Sequence, residues 1–85
     1  MFFVYILKSK KDDKLYIGYT EDLRKRIKEH NLGFVPSTKL RKPFKLVYYE
    51  SYLNQQDATR REHNLKLRAK ALRQLKDRIQ SSLGA

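Results

Sequence analysis

Two tyrosines, an arginine, a histidine and a glutamate stand out in this 85-residue chain for the chemistry they could share, proton transfer and the binding of a cation. Tyr5 and Tyr16 are 11 residues apart, on the two arms of a hairpin. An even-numbered connection puts both side chains on one face of the sheet, with Gly18 two residues further along that face. A glycine inside a strand marks a bulge or the close approach of another group. Taken alone, the same spacing also suits core tyrosines whose hydroxyls reach the rim. Arg26 and His30 stand at i, i+4 and share a helix face. Arg26 lies three residues after Leu23, so it borders the buried stripe, whereas Arg24 points away. An arginine stem covering apolar surface, or a hydrogen-bonded histidine at a helix end, gives the same pattern. Glu62 follows Ala58 by four residues and precedes Leu65 by three, which sets a carboxylate on an apolar stripe. Such a group is costly unless it is ion-paired, hydrogen-bonded or bound to a metal. Mg²⁺ sites often use one or two carboxylates completed by water. Asn64 and Lys66, close by in sequence, could add polar contacts.

The elements that must position these groups can be read from the pattern of apolar residues. Phe2–Leu7 is a continuous β-branched and aromatic run, the mark of a strand covered on both faces. Asp12-Asp13 lies in a polar turn, and Leu15–Tyr19 reads as the second strand. Thr20 is predicted to cap a helix carrying Leu23, Ile27, His30 and Asn31, with Glu21 and Asp22 in its first turn and Gly33 past its end. Residues 34–43 form a loop with two prolines and the cations Lys39, Arg41 and Lys42. Residues 44–52 read as the third strand, with Phe44, Leu46 and Tyr48 on one face and Lys45, Val47 and Tyr49 on the other. Asn54 caps a final helical region, continuous or bent near residues 66–68, whose stripe is Ala58, Leu65, Ala69, Leu72, Leu75 and Ile79. Residues 81–85 are expected to fray. The order ββαβα(α) is an α+β class. Its three-stranded sheet has order 2-1-3, mainly antiparallel, with flanking helices, in one domain spanning 1–85 and a core at about 2–80.

Composition narrows the partners. Lys and Arg number 20 against 9 Asp and Glu, a formal charge of +11. On a small domain this excess is self-repulsive unless a polyanion shares the surface. Nucleic acid is the first such partner, and exposed aromatics at Tyr48, Tyr49 and Tyr52 would assist it. An anionic membrane or an acidic protein is the next. There is no cysteine, which excludes disulfides, thiolate catalysis and Cys-ligated zinc. The run Phe2–Leu7 is far short of the roughly 20 residues that span a bilayer. It also lacks a basic leader and a cleavage site, so a cytoplasmic location is expected.

The ordered set Phe3-Val4-Tyr5, Tyr16-Ile17-Gly18, Arg26, His30 and Glu62-x-Asn64 resembles the GIY-YIG nuclease superfamily over nearly the whole chain. The nearest likeness is to its small stand-alone bacterial members, related to the N-terminal nuclease domain of an excinuclease. Phe3 departs from the pattern, standing where the first motif has glycine. The resemblance implies an antiparallel three-stranded sheet and metal-dependent phosphodiester hydrolysis with one Mg²⁺ or Mn²⁺. It places Tyr5 and Tyr16 near the attacking water, Arg26 on the phosphate, Glu62 on the metal and His30 at the helix histidine. Gly18, Asn64, Lys66 and the loop cations Lys39, Arg41 and Lys42 then fall to the nucleic acid, with DNA preferred over RNA and a role in DNA repair. A protein partner would supply target specificity. The general base is left open between the tyrosines and His30, because an unperturbed tyrosine titrates near 10. The competing reading is a nucleic-acid-binding module on the same fold with little catalysis.

Overall fold

The computed structural model describes residues 1–84. Strand β1 (Phe2–Ser9) lies between β2 (Leu15–Thr20) and β3 (Phe44–Tyr52), giving the sheet order β2-β1-β3. Both pairings are antiparallel, so β2 and β3 run parallel to each other without touching. The central position explains why Phe2–Leu7 carries no polar alternation, since helices cover both faces. Val4 and Ile6 point to one face and Tyr5 and Leu7 to the other, and none is more than 1% exposed.

The two faces carry separate cores. On the first, Val4, Ile6 and Ile17 pack against Ala58 and Leu65 of α2 (Gln55–Leu67), Leu75 of α3 (Ala69–Arg78), and Ile79. The bend expected near residues 66–68 falls at Arg68, whose extended backbone ends α2 and starts α3. That break lets two short helices turn their leucines to one sheet face. On the second, Tyr5, Leu7 and Phe44 pack with Tyr16 and Leu46 beneath Leu23 and Ile27 of α1 (Leu23–Asn31). Asn31 pins the end of α1 to the start of β3. Its side chain accepts from the Phe44 N–H at 2.6 Å and donates to the Phe44 carbonyl at 3.2 Å.

Three local expectations change. Thr20 is still a strand residue, paired with Phe3, so the helix starts later. Asp22 is its cap, accepting the Lys25 N–H at 3.1 Å, and neither acid sits in the first turn. In β3 the register slips between Ile6 and Leu7: Leu7 pairs with Leu46, but Ile6 pairs with Tyr48. Val47 is the extra residue of a bulge, which breaks the two-residue alternation. Phe44 and Leu46 therefore join the Tyr5 face, while Tyr48, Glu50 and Tyr52 join the opposite one. There, under α2 and α3, the Glu50 carboxylate accepts from the hydroxyls of Tyr48 at 2.6 Å and Tyr52 at 2.5 Å. Arg61 Nε donates to it at 2.9 Å. Only Tyr49 of the three tyrosines is an exposed aromatic. Finally, the frayed tail gives way to a short helix, α4 (Gln80–Gly84). Leu83 packs on the first core, and Lys8 Nζ donates to its carbonyl at 2.8 Å. Ala85 lies outside the described residues.

Candidate active site

The hairpin register aligns the two tyrosines. Leu7 pairs with Tyr16 and Tyr5 with Gly18, so Tyr5, Tyr16 and Gly18 share a face. The Tyr5 ring lies directly across Gly18. A Cβ built on Gly18 would stand 2.3 Å from both Cζ and Oη of Tyr5. No larger residue fits, which is the reason for glycine here. Gly18 is buried under that ring, so its part in the site is to make room, not to touch a phosphate.

Crossing Gly18, the Tyr5 hydroxyl meets His30 Nε2 at 2.8 Å. His30 comes from the last turn of α1 and is fully buried. Its other nitrogen, Nδ1, is 2.8 Å from Oγ1 of the buried Thr38, which in turn makes a long 3.5 Å contact to the Val35 carbonyl. That carbonyl can only accept, so the Thr38 hydroxyl donates to it and its oxygen accepts from His30 Nδ1–H. Nε2 is then the bare nitrogen and accepts from Tyr5. The Arg26 guanidinium, one turn earlier on α1, lies close enough to the Tyr5 oxygen to act on its proton affinity. The result is one ordered chain of donors from Tyr5 through His30 to Thr38. Tyr16 closes the cluster, with its ring 4.9 Å from His30 and 6.4 Å from Tyr5.

The proton affinities follow from this burial. Desolvation pushes the Tyr5 hydroxyl up to about 12, against the pull of the nearby Arg26 guanidinium, with help from Tyr16 and Glu62. Desolvation, then the Arg26 charge, pushes His30 down to about 4. At neutral pH the pair is a phenol donating to a neutral imidazole. The depressed tyrosine that a free base would need is absent from this resting state.

Glu62 approaches from α2. It is close enough for its charge to act on Tyr5, and its carboxylate is 3.2 Å from Lys66 Nζ, one helical turn on. Lys66 Nζ also stands 6.0 Å from the centroid of the Tyr16 ring. Arg26 pairs with Glu29 at 3.4 Å and keeps part of its side chain exposed. Tyr5, Tyr16, Arg26, His30, Glu62 and Lys66 thus form one cluster built from β1, β2, α1 and α2.

Two expected residues stand elsewhere. Asn64 is two residues from Glu62, about 200° around the helix, and its amide oxygen is 3.3 Å from Arg68 Nε. Arg41 is tied to Asp12 at 2.7 Å, lies over Phe44 and is only partly exposed. It joins the hairpin turn to the 3₁₀ turn Lys39–Arg41 instead of offering a free cation. Lys39 and Lys42 remain exposed. Sequence reasoning missed Thr38 and Phe44. Phe44 packs its ring 5.9 Å from His30 and 6.5 Å from Tyr16. No local pattern singles out either one, because their contacts are tertiary.

Among the described residues no group of three or more His, Cys, Asp or Glu could hold a metal. A cage made by protein alone is therefore not how this chain would bind one. The donors do fit Mg²⁺ held more loosely, by the single carboxylate of Glu62, itself partly buried, with oxygens from water and substrate. Lys66 is the counter-charge that such a cation would displace.

Residues 1–77 match the family described as the GIY-YIG catalytic domain. The chain belongs to the GIY-YIG family. It is 49% identical over 67 residues to a UPF0213 protein of Clostridium perfringens, covering 78% of this chain and 71% of that one. It is 43% identical over 79 residues to a UPF0213 protein of Staphylococcus aureus, covering 89% and 95%. The solution structure of a UPF0213 protein from Bacillus halodurans shares 38% identity at a TM-score of 0.55, over 88% of this chain and 82% of that one. These names state no activity, while membership in the GIY-YIG family implies nuclease-type function on nucleic acid. No helix among the described residues is long and apolar enough to cross a membrane.

Proposed function

We propose that this protein is a divalent-metal-dependent endonuclease that hydrolyses phosphodiester bonds, with Tyr5, His30, Arg26 and Glu62 as its working groups. The observation that carries the reading is the Tyr5–His30 hydrogen bond beside Arg26 and Glu62. Hydrolysis needs a base for the attacking water and positive charge where negative charge develops. His30 is fully buried and Tyr5 is 1% exposed, so the step requires substrate entry to open the Arg26 side of the Tyr5 oxygen to one water, with His30 acting through Tyr5. The Tyr5 oxygen takes the proton of the water while its own proton passes to His30 Nε2. His30 Nδ1–H stays on Thr38, and the imidazolium that forms is balanced by the phosphate. Bringing that anion close raises the proton affinity of His30 from its low resting value. The exposed part of Arg26 grips a phosphate oxygen with its planar fork while its ion pair with Glu29 keeps it aligned. A Mg²⁺ or Mn²⁺ at Glu62 would supply charge neutralisation at the leaving oxygen. Lys66 holds Glu62 in place until the ion enters.

DNA is the favoured substrate, in keeping with the likeness to an excinuclease domain, and a cytoplasmic role in repair goes with it. The test is incubation with labelled DNA and RNA, as single strands, duplexes and branched forms, with Mg²⁺, with Mn²⁺ and with chelator. Metal-dependent cleavage of at least one substrate is expected. Binding without cleavage under every condition would leave a nucleic-acid-binding module instead.

A further inference from the structure

Three large apolar side chains cluster in sequence just after α1, and all are exposed: Leu32 at 53%, Phe34 at 70% and Leu40 at 79%. In a floppy loop this would be ordinary, but the segment is tightly held. Val35 and Thr38 are buried. The Phe34 N–H donates to the Glu29 carbonyl at 3.0 Å, and the Arg41 N–H to the Thr38 carbonyl at 2.9 Å. The Arg41 carbonyl accepts from Ser9 Oγ at 2.5 Å, and the Arg41 side chain is clamped to Asp12. The chain reverses at Gly33, whose φ of +80° requires glycine. An aromatic ring on such a scaffold is presented to solvent by construction. Rigid exposure of this kind marks an interaction surface.

Charge identifies the occupant. The stems of Lys39 and Lys42 run over Gly33, the residue next to Phe34. A Cβ at Gly33 would lie 3.7 Å from Lys39 Cγ and 3.4 Å from Lys42 Cε. The patch therefore sets an exposed aromatic residue next in sequence to a glycine that two exposed lysines cover, on a chain of net charge +11. It also adjoins the candidate centre, because Thr38 of the same segment bonds His30 and His30 bonds Tyr5. An exposed ring with cations close by suits a nucleobase and its neighbouring phosphates. A duplex keeps its bases stacked on each other, so only an unpaired base can use such a ring.

We infer that the segment 32–42 is a stacking platform for an unpaired base of the substrate strand, with Phe34 as the ring and Lys39 and Lys42 as its phosphate contacts. This deepens the nuclease reading and rests on it, since it makes the preferred substrate one with a single-stranded or frayed nucleotide beside the scissile bond.

The protein has no tryptophan, so Phe34→Trp introduces a unique indole at the patch, excited selectively over the six tyrosines. The probes are a 15-mer single strand of DNA, the same sequence as RNA, and its DNA duplex, all titrated with chelator present so that nothing is cleaved. The expected result is quenching of the introduced indole's emission by the single strands and not by the duplex. Phe34→Ala and Phe34→Leu should each weaken single-strand binding by roughly tenfold, a single base-stacking interaction, with duplex binding unchanged. Leu53→Ala, at another exposed leucine, should change neither. Loss in Phe34→Ala but full binding in Phe34→Leu would mean a plain apolar contact and overturn the stacking role. Equal binding of all probes, with no quenching and no effect of Phe34→Ala, would overturn the platform while leaving the nuclease reading intact. Failure of the wild type to bind any nucleic acid would remove both. Self-association in sedimentation that Phe34→Ala abolishes, with oligonucleotide binding untouched, would reassign the patch to a contact between copies of this chain.

Discussion

Gly18→Ala separates this packing from an ordinary strand glycine by the sign of its effect. Alanine in a strand normally stabilises relative to glycine by about 0.5–1 kcal/mol, because the unfolded chain loses freedom. Here the new methyl would stand 2.3 Å from Tyr5 Cζ and Oη and 2.8 Å from Cε2. Carbon contacts of that kind need about 3.5 Å or more, so the ring must swing by about an ångström. It has nowhere to go: Tyr5 is 1% exposed, packed edge-on to His30 and hydrogen-bonded to it. Overpacking of this type costs about 1–3 kcal/mol. Breaking the Tyr5–His30 bond strands a buried nitrogen for about 1–3 kcal/mol more. The net expectation is a loss of about 1–5 kcal/mol after the entropic gain, or a Tm lowered by at least about 5 °C in a domain of this size. Thermal and urea unfolding by circular dichroism measure it. Repeating Gly18→Ala in a Tyr5→Leu background removes the clashing atoms, so the substitution should then be neutral or slightly stabilising. A Gly18→Ala protein with an unchanged or raised Tm, or the same loss in both backgrounds, would refute the reasoning.

The pH dependence has a defined sign. The folded chain holds His30 near 4 and the unfolded chain near 6.5. Protons therefore favour the unfolded state between those values, and the stability is complete above about 6.5 and falls as the pH drops toward 4. The expected loss between pH 7.5 and 5 is about 2 kcal/mol, absent in His30→Gln. Urea titrations of both proteins check it, and identical pH profiles would mean His30 is not held neutral. Arg26→Ala should lower cleavage by roughly 10²–10³ with little loss of affinity. Arg24→Ala deletes the same charge on the outward face and should have little effect on either. Arg26→Lys should recover only part of the rate, since a point charge lacks the fork. Equal small losses at Arg24 and Arg26 would indicate a diffuse basic surface.

Much of the fold was readable because its signals are local. Phe2–Leu7 named the central strand, Asn54 the cap of α2, and the parity of the hairpin brought Tyr5 and Tyr16 together. The bulge at Val47 was not readable, because alternation cannot register an inserted residue, and one such residue moved Tyr48 and Tyr52 to the opposite face. Arg41 and Asn64 illustrate a second limit. Their types suit phosphate, yet each has a structural partner, Asp12 or Arg68, that spacing does not reveal. Thr38 is the reverse case: an ordinary-looking loop threonine that fixes the tautomer of His30. The stripe arguments at Arg26 and Glu62 did bring both residues to the tyrosines, since helical period is a local property with a tertiary consequence.

The central claim is that this cluster hydrolyses phosphodiesters with a metal at Glu62, and Glu62→Gln tests it most directly. Cleavage of a labelled oligonucleotide is followed against Mg²⁺ concentration for wild type and variant, with circular dichroism and binding as controls. The expected result is metal-dependent cleavage by wild type and none by Glu62→Gln at any Mg²⁺ concentration, with fold and affinity retained. Cleavage that survives both chelator and Glu62→Gln would contradict it.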